Sequence, residues 1–528
     1  MVKGFRQIAL LTALSRVFGM LRDMAYSHFF GAEGFLDAWL IAFRIPNLSR
    51  RLFGEGAASA SLIPVYSEVL HKDPKQASAL LNTVVTVMFM FLAALTLIGQ
   101  LGIWTYIHFF SKTADSELIM TLSLIMLPYM LFICMEAILG GILNVHKHFA
   151  MPALAPIVLN LFIIGTIIAT GWIWKVDAVT QLVVVSMGVL LAGFVQLYIQ
   201  LPPLKKAGII LHASWRVNSE PYKKIMLMML PMILGLGVTQ LNTLCDDLIA
   251  WWFSGNNQGD FFVLFGKHIN YPMIRGSVSH LYYAQRLYQL PLGVLGISLA
   301  TAIFPIMSAD AAKGDFDSLI RTISKGLRGA VFIALPATAG IIIVAKPLLA
   351  ALFQHGKFNS DDTIKVTITL MFYSLGLCGY FAQQILAKAF YSMQDSKTPV
   401  KSALTAVCAN VILNLTLIWF IGTGGLAAST AICSYFQVFI LIFILRKKFK
   451  SSILNGMASN IIKTITGTLV MTVICVLILF VMESLPYSRL YQSLRLVAVV
   501  PIAAVVYIIA SKLLKNEMLS MFLGRKKG

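Results

Sequence analysis

Stretches of about 20 apolar residues, each long enough to cross the hydrocarbon core of a bilayer, recur along the chain with little interruption. They fall near 5–27, 35–65, 80–108, 117–143, 152–174, 179–202, 224–253, 279–307, 328–352, 365–391, 401–421, 424–445, 459–483 and 490–513. The pattern predicts an all-α polytopic membrane protein with about fourteen transmembrane helices. The second and eighth windows are the least regular, because proline and arginine interrupt their apolar runs.

The stretch from Ser15 to Glu68 departs most from this pattern. Among Leu, Ile, Phe and Ala it carries Arg16, Arg22, Asp23, Asp37, Arg44, Arg50, Arg51 and Glu55. A charge at the bilayer centre costs at least ~2.5 kcal/mol on insertion scales, so the cluster must face protein or a watery cavity. Residues seven apart lie within about 20° of each other on a helix. That spacing places Arg16 with Asp23, and Asp37 with Arg44 and Arg51, with Glu55 one turn beyond. Pro46 should kink or interrupt the second helix beside Arg44 and Asn47, and interrupted helices are where transporters tend to build substrate sites. Among these eight, five arginines outnumber three acids, so pairing as simple helix glue would leave cation over.

Composition narrows the class further. With 58% hydrophobic and 12% charged residues over 528 positions, the chain is not a soluble globule. A net charge of +20 would suggest nucleic acid in a soluble protein. Here the lysines and arginines sit in short connections, where they set topology, so no nucleic-acid partner is expected. One alternating set of connections carries Lys72 and Lys75, Lys147, Lys205 and Lys206 with Lys223 and Lys224, Lys313 with Arg321, Lys397 with Lys401, and Arg446 to Lys448. Both termini belong to that basic, cytoplasmic set through Lys3, Arg6, Arg525, Lys526 and Lys527. The six cysteines lie in apolar segments without metal-ligand spacing and read as small core residues. Glu136, Lys346 and Lys388 fall near expected helix ends, from which long side chains snorkel to water.

A faint repeat links the two irregular windows. Ala42-Phe43-Arg44-Ile45 runs on through Gly54 and Ala58 to Pro64, and Ala284-Gln285-Arg286-Leu287 runs on through Gly296 and Ala300 to Pro305. If the second and eighth helices correspond, the chain has two six-helix lobes and an appended C-terminal helix pair. The expected boundaries are 1–203 for the first lobe, 204–223 for a cytoplasmic linker, 224–450 for the second lobe and 451–528 for the final pair with its basic tail. Arg286 then brings a cation from the second lobe. Asp246 with Asp247, and Asn410 with Asn414, place carboxylate and amide oxygens in the second lobe, groups that suit a hard cation such as Na⁺. Polar helix–helix glue accounts equally well for the Asn pair. No GxxxxGK[ST], HExxH or GxSxG motif is present, which excludes P-loop hydrolysis and points away from an enzyme.

Several of these stretches together resemble one known family. Ser15-Arg16-Val17-Phe18-Gly19, Arg22-Asp23, Asp37-Ala38, Phe43-Arg44-Ile45-Pro46-Asn47 and Arg50 to Ala57 look like the N-terminal signature of the MviN/MurJ family of bacterial lipid II flippases. The likeness continues through Tyr283 to Leu287, Phe353 to Phe358 and Phe390 to Pro399, and so covers nearly the whole chain. It implies a fold of the multidrug/oligosaccharidyl-lipid/polysaccharide exporter superfamily, with two lobes around a cationic cavity. It also implies that Arg16, Arg22, Arg50 and Arg286, along with Asp23, Asp37 and Glu55, handle substrate; Arg51 is added from the same cluster. The implied function is export of the undecaprenyl-pyrophosphate-linked peptidoglycan precursor across the inner membrane by alternating access, with no cofactor. Cell-wall synthesis machinery would be the protein partner. Some relatives carry a sodium site at positions matching Asp246, Asn410, Asn414 and Thr430; Asn414 stands where they have a carboxylate, so Na⁺, H⁺ and the membrane potential alone all stay open as drivers. Rival readings are an exporter of another lipid-linked oligosaccharide or drug on the same fold, and a membrane-embedded glycosyltransferase. The segment Ser254 to Gly276 is longer than the corresponding connection in the family. Its Phe261, Phe262, Phe265 and Tyr271 suit a membrane–water interface.

Overall fold

The computed structural model describes residues 2–110, 113–256, 259–449, 453, 456–484, 486 and 488–522. The side chain of Glu55 and the basic tail Arg525, Lys526 and Lys527 lie outside the described residues. Every apolar window is helical, the first as Val2–Phe30 and the last as Arg489–Leu513. Among the described residues, 9 helices are long and apolar enough to cross a membrane, or up to 11 if each of two bent pairs is one span. The remaining windows are also helical, over Val2–Phe30, Gly34–Lys72 and Glu220–Trp252. The first two of these carry the Ser15-to-Glu68 charges. Many helices present bare apolar faces, with residues such as Leu97, Phe439 and Leu469 exposed. That is the surface expected where lipid is the solvent.

The chain forms two compact units, Met1–Leu244 and Cys245–Gly528. In the first, the second window is a helix Gly34–Ser49, a π-helical turn Arg50–Gly56 and a helix Ala57–Lys72. Pro46 is accommodated inside the first of these, and the wider turn follows four residues later. A β-carbon on Gly54 would come within 2.8 Å of Ala137 Cβ, so this turn lies directly against the helix Tyr129–Val145. In the second unit the eighth window repeats the arrangement as Ser277–Pro291, a π-helical turn Leu292–Gly296 and Ile297–Ala312. There a β-carbon on Gly296 would come within 3.0 Å of Phe381, on the helix Leu377–Ser392. Gly54 and Gly296 stand at the same interval after Arg44 and Arg286. Each unit also bends its fourth span by 41°, at Leu127-Pro128 in one and at Gly376 in the other. Proline removes a helical hydrogen bond, and Gly376 has no room for a β-carbon beside the Tyr380 ring, 2.5 Å away. The weak sequence repeat is therefore carried by matching irregularities in the backbone.

In the first unit an extended stretch after the sixth span is pinned to the start of the helix Pro74–Phe109. Buried Asn82 donates to the Ile210 carbonyl (3.2 Å) and accepts from the His212 N–H (3.1 Å), and Ser214 N–H donates to Thr86 Oγ1 (3.1 Å). Nearby, Glu68 accepts from Lys72 (2.8 Å) and Lys224 (2.9 Å), so two basic connections meet at one acid. Those bonds, the one from Lys72 first, hold its carboxyl down at about 2. The bridge is thus lost only as pH falls through that value, and being exposed it is screened by salt. Asn82→Ala should lower the thermal midpoint by the equivalent of about 1–3 kcal/mol, because it removes both side-chain bonds that hold Ile210 and His212 to this helix, each worth about 0.5–1.5 kcal/mol. Glu68→Ala should leave the midpoint nearly unchanged.

The second unit carries the C-terminal pair. Met457–Val481 and Arg489–Leu513 pack on the long helix Phe316–Leu352 through a cluster of Phe332, Val344, Met471, Cys475, Val499 and Tyr507. The Tyr507 hydroxyl donates to the Phe332 carbonyl at 2.7 Å. The long connection adds four short strands to an otherwise helical fold. Ser254–Gly255 pairs in parallel with Met273–Ile274, and Phe261–Leu264 pairs with Lys267–Asn270 as an antiparallel hairpin. Of the six cysteines, all free, Cys134, Cys433 and Cys475 are buried as expected, whereas Cys408 is exposed.

Candidate functional site

The charged residues of the first unit divide into a buried and an exposed group. Arg22 and Asp23 are 9% and 3% exposed, in the middle of the Val2–Phe30 helix, and Asp37 is buried completely. The Arg22 guanidinium gives Nε and Nη2 to Asp23 Oδ1 at 3.1 and 2.8 Å and Nη1 to Asn160 Oδ1 at 3.0 Å, and it lies over the Tyr26 ring. Asn160 in turn donates to the Ser15 carbonyl, stitching the helix Ala150–Ile168 to the first helix. Every Arg22 nitrogen is therefore engaged, and a charge that would be intolerable in lipid is neutralised inside the unit.

Arg16 and Arg51, by contrast, are exposed. Arg16 shares a helix face with Asp23 by heptad spacing, yet Asp23 is taken by its neighbour Arg22. Of the expected alignment of Asp37, Arg44 and Arg51, Asp37 is buried, Arg44 half-buried and Arg51 exposed; Arg51 lies past the start of the π-helical turn at Arg50, which shifts the phase of the helix there. Arg51 donates to Gln240 at 3.2 Å. Half-buried Arg50 lines a cavity of about 240 Å³ with Ser59, Glu136, Asn144 and Gln196. Glu136 does not snorkel: it is buried and accepts from Gln200 Nε2 at 2.5 Å. Its place seven residues or more from either end of Tyr129–Val145 was the signal that a helix-end reading passed over.

In the second unit Arg286 is exposed in the middle of a span, stacked 4.7 Å over the Tyr282 ring and donating to its hydroxyl at 3.1 Å. Exposed guanidinium within an apolar span must meet water or ligand and not lipid. Deeper in the same unit, Asp246, Asn410, Asn414 and Thr430 come together. Asp246 Oδ1 accepts from Asn410 Nδ2 at 2.9 Å and Asn414 Nδ2 at 2.6 Å, and Oδ2 faces Thr430 Oγ1 at 3.5 Å. Asp246, Asn410 and Asn414 are all buried.

A sequence model described as lipid II flippase MurJ matches residues 26–499. The chain belongs to that family. A probable lipid II flippase MurJ of Vibrio cholerae is 32% identical over 454 residues, which cover 82% of this chain and 81% of the relative. A lipid II flippase MurJ of Burkholderia cenocepacia is 31% identical, over 83% of this chain and 82% of its own length. A solved structure of a lipid II flippase MurJ in an inward closed conformation superimposes with a TM-score of 0.77 at 24% identity, covering 98% of this chain and 99% of that one. An inward-facing multidrug transporter of the MOP superfamily follows at 0.62 and 13% identity, covering 82% of this chain and 94% of that one. These two matches establish the expected exporter-superfamily fold. Members of the family are multi-pass proteins of the bacterial inner membrane, and this chain's helices conform to that.

Proposed function

We propose that this chain carries lipid II, the undecaprenyl-pyrophosphate-linked peptidoglycan precursor, from the cytoplasmic to the periplasmic face of the inner membrane, as a transporter without a catalytic step. The observation that carries the reading is the exposed guanidinium of Arg286 inside an apolar span. A forked donor that stays charged at every relevant pH suits a pyrophosphate. Arg16 and Arg51 add exposed cations in the first unit, where buried Arg22 is neutralised by Asp23. Membrane potential favours outward movement of an anion by up to ~2.3 kcal/mol per charge per 100 mV, and draws the emptied, cationic protein back by the same field. Both termini are then cytoplasmic, on the side of the Glu68 bridge.

The cluster around Asp246 is the candidate coupling site. A sodium ion there would take Asp246 together with the amide oxygens of Asn410 and Asn414 and the hydroxyl of Thr430, once both amides turned their oxygens inward. The decisive test of the main reading is depletion of this protein, followed by an assay of whether the lipid-linked precursor can be reached by a reagent acting only at the outer face. Loss of access is expected. Unchanged access at full depletion, with no second carrier induced, overturns the assignment.

A further inference from the structure

We propose that the hairpin Phe261–Leu264/Lys267–Asn270 is a membrane-surface anchor whose tip, Phe265, passes the headgroup layer to the top of the acyl chains. A strand at a protein surface alternates apolar and polar side chains, because one face meets water. Here Phe261, Phe262, Val263, Leu264 and Phe265 are apolar without a break, while the partner strand Lys-His-Ile-Asn is mostly polar. On one face of the apolar strand Phe262 is packed, while Leu264 beside it towards the tip stays 46% exposed. Phe262 packs on Phe253 and Trp419, with ring centroids at 6.2 and 6.5 Å, and on Tyr271 at 5.1 Å. The other face, Phe261 and Val263, is exposed.

The tip is the second observation. Phe265 and Gly266 form the two-residue turn with φ of +49° and +75°. Turns with two left-handed residues favour Asn, Asp or Gly, and a bulky side chain there is strained. Phe265 is nonetheless 97% exposed, so no contact within the protein compensates. A residue that weakens its own turn and shields nothing inside the protein is explained by a contact outside it.

The surroundings identify the occupant. Trp252, Trp419 and Phe420 are exposed at the ends of the helices Glu220–Trp252 and Lys397–Ile421, on which the hairpin rests, and aromatic rings in that position mark the membrane–water boundary. Four residues of strand extend only ~13 Å, so the tip stays within reach of that boundary. Lys267, next to the tip, matches lipid phosphate.

Spin labels placed by Phe265→Cys and, separately, Val263→Cys test this, in full-length protein whose six native cysteines are replaced by alanine and which still supports growth. In vesicles of phosphatidylethanolamine and phosphatidylglycerol, both labels should collide with oxygen at least threefold more often than with a water-soluble nickel chelate. A label on Lys267→Cys should show the reverse. Preferential access of the nickel chelate to the 263 and 265 labels overturns the proposal. So does a crosslink in cells from position 265 to another protein in place of lipid, since that result would assign the hairpin to a protein partner.

Discussion

Arg286→Lys should reach the membrane in parental amounts and yet fail to sustain growth of cells depleted of the natural protein. The substitution keeps the charge and removes the planar fork, which is what bidentate recognition of a pyrophosphate requires. Arg286 is exposed and held by Tyr282, so the fold has little reason to respond. Arg22 predicts the opposite pattern. Its three nitrogens are engaged by Asp23 and Asn160, and Arg22→Ala would break a buried ion pair by removing one partner, at a cost of about 3–5 kcal/mol. Because the same substitution also cuts the tie to Asn160, abundance should fall together with function. Growth and membrane abundance measured side by side separate the two, and Arg286→Lys cells that grow normally would sink the clamp.

Asp246→Ala is the second substitution expected to act strongly. It deprives Asn410 and Asn414 of their common acceptor, in a setting where each stranded buried amide costs about 1–3 kcal/mol. If the cluster also binds Na⁺, the purified parent protein should unfold at higher temperature in Na⁺ than in K⁺ at equal ionic strength. At a hundredfold excess over the dissociation constant the gain is about 2.7 kcal/mol, and it should vanish in Asp246→Ala. A Na⁺ effect that survives the substitution places the ion elsewhere. No effect in the parent leaves the proton or the membrane potential as driver.

The spans themselves were legible because a run of about 20 apolar residues has few alternatives to a helix in a membrane. Pro46 and the Arg44/Arg286 repeat gave notice of broken helices. The breaks, however, are π-helical turns that begin at Arg50, four residues after Pro46, and at Leu292, directly after Pro291. The 41° bends at Pro128 and Gly376 were hidden, each inside one continuous apolar window. Nor could heptad spacing find the partner of Arg22. Asn160 is 138 residues away, and its only sequence trace is a lone amide in an apolar run. The gathering of Asp246, Asn410, Asn414 and Thr430 was reached through family resemblance for Thr430 and through residue chemistry for the rest.

The bond from Tyr507 to the Phe332 carbonyl has a practical consequence for watching the protein at work. The last two spans are moored along the length of Phe316–Leu352 by aromatic and aliphatic packing, so they travel as a passenger of the second unit. A reporter dye carried by the short helix Glu517–Phe522, which rests on the same helix through Phe522 and Phe332, inherits that mooring. Its signal reads out the second unit and is deaf to rearrangements confined to the first.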